Sequence, residues 1–236
     1  MFFPFYFDPT YILVIIGLVL SGLASAYVSS TFNKYNQVHS SLGFTASEIT
    51  RDILNYANLE HVQIERVSGN LTDHYDPRGK ILRLSDATNN STSVAAIGVA
   101  AHEAGHALQD RDNYLFLRLR AFLVPVTRIG QTAALPILLL GLFIGTGSGQ
   151  FLINLGLLLF SFTFIFQLIT LPVEFNASNR ALSILETEQV LSGEELEGAR
   201  KVLNAAALTY VAAAIGAFLN VLRLFILFGD GDRRRN

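Results

Sequence analysis

Four stretches of this chain, residues 10–27, 122–144, 151–171 and 205–228, are long and apolar enough to cross a bilayer, whose hydrocarbon core takes about 20 apolar residues per helix. Inside that core no water meets the backbone, so amides and carbonyls must be paired within the segment or in a closed barrel. The stretches are apolar throughout and lack strand-like alternation, so they read as helices. Composition agrees: charged residues make up 15% of the chain, against about 25% in soluble domains. Residues 145–150 (GTGSGQ) leave only a turn between the second and third spans, which therefore form a helical hairpin. Pro136 is expected to kink the second span. The first stretch reads as a span rather than a signal peptide. Met1 is followed by aromatics and Asp8, not by Lys or Arg, and no cleavage site follows. The aromatic cluster at residues 2–7 reads as an interfacial anchor.

The expected fold is a single domain over residues 1–236: a mainly α integral membrane protein with four transmembrane helices and two water-facing segments, 28–118 and 172–204. In the first segment, residues 45–48 (TASE) form a capping box, followed by Ile49, Ile53, Leu54 and Ala57 at helical spacing. Residues 62–67 alternate, and residues 71–76 and 81–84 flank a hairpin turn at 77–80 (PRGK). This predicts a small antiparallel β-sheet. A second capping box at 192–195 (SGEE) opens a helix that can run on into the fourth span. Twelve Lys and Arg fall in the water-facing segments and their membrane flanks, against Arg233, Arg234 and Arg235 in the tail. The positive-inside rule then places both segments in the cytoplasm, in a bacterial plasma membrane. No basic surface suggests nucleic acid.

Residues 102–106 read HEAGH. An HExxH motif on a helix puts His102 and His106 on one face, one turn apart, as two corners of a tetrahedral zinc site; Glu103 is then placed as general base. Residues 91–101 (STSVAAIGVAA) supply hydroxyl caps and an alanine-rich run, so the motif sits on a helix. The chain has no cysteine, so a metal must be held by His, Asp, Glu or water. Glu174, where the third span ends, is the preferred third ligand for one Zn2+ per chain; Pro172 is expected to open a new helix with Glu174 in its first turn. His74 is the alternative: a ligand, a substrate-orienting group, or a sheet-edge histidine. Tyr210 reads as an oxyanion donor or as an interhelical hydrogen-bonding group. Arg180 reads as a partner of Glu174, of a substrate carboxylate, or of a structural salt bridge.

Residues 100–109 (AAHEAGHALQ) resemble the core of the YugP-type membrane zinc peptidases, also called neutral zinc metallopeptidases. So do residues 73–77 (DHYDP), 171–175 (LPVEF) and 204–210 (NAAALTY), and the resemblance extends over nearly the whole chain. More distantly the chain is similar to heat-shock membrane peptidases and CAAX prenyl peptidases, which pair an HExxH helix with a later glutamate ligand. In those relatives an aspartate follows the glutamate by four residues, where this chain has Ser178. The resemblance implies a zinc-dependent endopeptidase acting on protein or peptide substrates at the bilayer. A membrane scaffold with a structural zinc is the rival reading. A transporter fits poorly, because ionisable groups within the spans are few. Nothing in the sequence specifies an oligomeric state.

Overall fold

The computed structural model describes residues 8–145 and 148–228. The 2–7 aromatic cluster, positions 146 and 147 of the hairpin turn and the triple arginine lie outside the described residues. The element order is α1 (Tyr11–Tyr35), α2 (Ala46–Tyr56), β1 (Gln63–Val67), β2 (His74–Asp76), β3 (Ile81–Ser85), α3 (Val94–Arg111), α4 (Leu115–Ile144), α5 (Ser148–Thr187) and α6 (Gly193–Phe228). The chain forms two compact units. One comprises the N-terminal residues through Leu23, Leu119–Thr170 and Tyr210 onward; the other comprises Ala24–Arg118 and Leu171–Thr209.

In the first unit, α1, α4, α5 and α6 supply four helices long and apolar enough to span a membrane. Phe122, Phe143 and Phe151 are exposed, as lipid-facing side chains should be. Small residues let the helices approach: a Cβ on Gly130 would lie 2.9 Å from Leu159 O, and one on Gly156 2.9 Å from Leu138 Cβ. Leu138, Ile153 and Leu157 form a local core, with Leu224 and Phe228 packed on it.

The second unit is built around α3, most of whose residues are buried. Ile49, Ile53 and Leu54 of α2, Leu82 and Leu84 of β3 and Ile97 of α3 share one apolar core. The first capping box forms as expected: Thr45 Oγ1 accepts from Glu48 N at 3.2 Å, and Glu48 Oε2 accepts from Thr45 N at 2.8 Å. The second does not close on its own helix, because the Glu195 carboxylate accepts from Ser41 N at 2.8 Å instead. Even so, α6 runs unbroken toward its apolar end, as the sequence suggests.

Two expectations are corrected. The β2–β3 hairpin forms, but the sheet is mixed rather than wholly antiparallel. Its order is β1-β3-β2, with β1 parallel to β3. The reason lies in the side chains: Leu82 and Leu84 are fully buried, so β3 takes the centre and the more polar β1 and β2 take the edges. Pro172 does not open a helix. It lies inside α5, which runs from Ser148 through Thr187. A proline removes one amide donor, but here both flanks favour helix, and one missing bond does not end it.

Candidate metal centre

Helix α3 starts at Ser93, whose Oγ accepts from Ala96 N at 3.1 Å, and carries His102, Glu103 and His106 on its buried length. The two imidazoles meet edge to face, with ring centroids 4.7 Å apart. Glu174 comes from α5. Its Oε2 lies 3.3 Å from His102 Nε2 and 3.6 Å from His106 Nε2. Gly105 makes this approach possible. A Cβ there would sit 2.5 Å from Ala177 O, so only glycine lets α3 touch the α5 backbone between Glu174 and Ser178.

The outer ring nitrogens are also held. His106 Nδ1 donates to Gln109 Oε1 at 2.9 Å. The Gln109 amide cannot be turned round, because its Nε2 donates to Val173 O at 2.8 Å and to Asn176 Oδ1 at 2.9 Å. With Nδ1 protonated, His106 Nε2 carries the lone pair that faces Glu174. His102 Nδ1 lies 3.0 Å from Ser178 Oγ, so a hydroxyl stands where the resemblance led one to look for a carboxylate.

His102, His106 and Glu174 form a group with one ligand atom from each, all within 4.8 Å of one another. Zinc bonds of about 2.0–2.2 Å at tetrahedral angles separate neighbouring ligand atoms by roughly 3.4 Å. The two measured Nε2–Oε2 distances fall on either side of that value, so the donor set fits zinc. Glu103 is buried, with the Tyr75 main-chain amide near enough to act on its charge. Burial pushes its carboxyl up to about 7; the charges of Glu174 and Asp73 push the same way, against His102 and that amide.

Of the other residues singled out in the sequence, His74 and Arg180 have partners of their own. His74 is exposed on β2, with Nδ1 2.9 Å from Thr72 O and Nε2 3.4 Å from Arg83 Nη1; it is not among the three grouped side chains. Arg180 pairs with Asp112 and donates to Asn176 Oδ1 at 2.9 Å. It therefore makes a structural bridge, and the guanidiniums of Arg111 and Arg180 hold the Asp112 carboxyl below the usual range. Tyr210 lies half-buried on α6, in the membrane-spanning unit. Sequence reasoning missed Gln109, although its place three residues after His106, on the same helix face, was a usable signal. It also missed the link between Tyr75 and α3, where the hydroxyl donates to Asp110 Oδ2 at 2.7 Å.

Comparison with known proteins decides the family. Residues 10–229 match the model of the family described as "Putative neutral zinc metallopeptidase". The chain belongs to that family. It is 45% identical over 219 residues, 93% of this chain and 96% of the other, to a Bacillus subtilis (strain 168) protein named "Putative membrane protease YugP". No solved structure matches the chain significantly.

Proposed function

We propose that this chain is a zinc-dependent membrane endopeptidase that hydrolyses peptide bonds of membrane or membrane-adjacent proteins. The observation that carries the reading is the grouping of His102, His106 and Glu174 beside a buried glutamate on the same helix as the histidines. One zinc ion held there would polarise the scissile carbonyl and acidify a water molecule. Glu103 takes the proton from the attacking water and delivers it to the leaving amine. Ser178 and Gln109 fix the two imidazoles. β2, as an edge strand, offers its outer side to an extended substrate segment by strand addition. The water-facing segments, and the metal centre with them, lie on the cytoplasmic side.

A structural zinc in a scaffold protein would call for a closed fourth ligand. The separation of His74 from the three grouped side chains favours catalysis over that reading. The deciding experiment is Glu103→Gln. It leaves all three ligands in place, so the purified variant is expected to retain zinc and to lose turnover of an unfolded test protein by about 10²–10⁴-fold. Retained turnover would refute the assignment.

A further inference from the structure

Asp110 stands on α3 seven residues after Glu103, two helical turns along the same face. Its carboxylate is shared by two groups of the β2–β3 hairpin. Tyr75 Oη donates to Asp110 Oδ2 at 2.7 Å, and Lys80 Nζ donates to the same oxygen at 2.5 Å. Tyr75 belongs to β2, and Lys80 to the turn just before β3. The Tyr75 ring is half-buried and packs on the apolar core that α3 shares, while its main-chain amide acts on the Glu103 charge. Burial and the Asp110 carboxylate push the Tyr75 phenol above its ordinary value, so the hydroxyl stays a donor. The Lys80 side chain is 44% exposed, and an ion pair that open to water contributes little by itself. The hydroxyl bond is therefore the stronger of the two links. Lys80 reaches Asp110 from a φ of 54°, a left-handed conformation that costs a residue with a side chain.

We infer that Asp110 is a positioning residue for substrate: through the Tyr75 hydroxyl, with Lys80 behind it, Asp110 holds the free edge of β2 at a fixed spacing from α3, so that an extended segment added to that edge is presented to the metal group. The inference rests on strand addition in the proposed peptidase, and it names what makes the edge usable. β2 has three residues, His74 to Asp76, paired with β3. That pairing sets the register of so short a strand but not its tilt toward α3. The bond from Tyr75 to Asp110 sets the tilt. Main-chain bonds along an edge supply affinity without reading side chains. The class of substrate this arrangement takes is therefore a segment that is already unfolded and extended, whatever its sequence.

The test uses the full-length, zinc-loaded Glu103→Gln protein and reads binding by fluorescence anisotropy. The probes are two fluorescein-labelled peptides: a structureless peptide of Ser, Ala and Val, and the same peptide N-methylated at successive amides, which cannot add to a strand. The plain peptide is expected to bind roughly tenfold more tightly. Tyr75→Phe and Asp110→Ala should each abolish that preference and leave zinc affinity unchanged. Asp110→Asn, which keeps an acceptor for the hydroxyl, should preserve it. A preference that survives Tyr75→Phe and Asp110→Ala overturns the inference. So does a preference lost together with zinc affinity, because Asp110 would then brace α3 rather than the substrate edge. Loss in Asp110→Asn equal to that in Asp110→Ala overturns it as well. Equal binding of the two peptides before any of these changes means that strand addition does not occur, and the inference falls with it. Failure of the peptidase reading shows separately, as a wild-type protein that prefers the plain peptide but does not hydrolyse an unfolded protein.

Discussion

Glu174 and His74 compete for one role in the sequence and take different ones in the structure. Glu174 completes the metal group through Oε2, whereas His74 is engaged with Thr72 O and faces Arg83. Glu174→Ala should therefore strip zinc from the purified protein, while His74→Ala should leave it bound, as metal analysis of the two variants will show. The reverse pattern would move the strand segment into the metal site. The closeness of His102 and His106 was legible in the sequence, because HExxH sets them one turn apart on a helix. The groups that hold their rings were not. Gln109 and Ser178 are ordinary polar residues on two different helices, and only their crossing brings them behind His106 and His102.

At the scale of elements, that crossing depends on the absence of a side chain at position 105. Gly105→Ala puts a methyl group against Ala177 O. The helices must then separate, and since the ligands lie on both of them, zinc affinity should fall. The cost to stability should be about 1–3 kcal/mol, the usual penalty for overpacking, measured as a lowered unfolding midpoint alongside a zinc-competition titration. A destabilised variant with unchanged zinc affinity would mean that the crossing serves packing alone. The sequence made the spans, α2 and the hairpin readable, because each is a local pattern. It misled at Pro172, where a local rule for helix starts lost to the helical preference of both flanks. It also misled at β1, whose pairing partner is set by which strand is most apolar rather than by which comes next.

For the whole molecule, orientation is the open structural variable, and the sequence makes it easy to measure. With no native cysteine, Ser68→Cys introduces a single reactive thiol at an exposed position of the water-facing unit. If that unit is cytoplasmic, an impermeant maleimide should leave this thiol unmodified in intact cells and label it after lysis. Labelling in intact cells would reverse the orientation and place the metal centre outside.

The bonds behind His106 have a reach that the ligand geometry alone does not convey. His106 leans on Gln109, Gln109 on Asn176, Asn176 accepts from Arg180, and Arg180 grips Asp112. The last pair is partly open to solvent. A buried imidazole is therefore tethered, four links away, to an ion pair that dissolved salt can weaken. Asp112→Asn cuts the tether at its outer end and leaves every ligand untouched. Zinc affinity should drop by less than the roughly 10–100-fold expected for removing a direct partner such as Gln109, and the wild-type protein in concentrated salt should drift toward the same value. Zinc affinity is thus expected to follow the ionic composition of the surrounding water, and a competition titration across salt concentrations would show it as a slope that Asp112→Asn flattens.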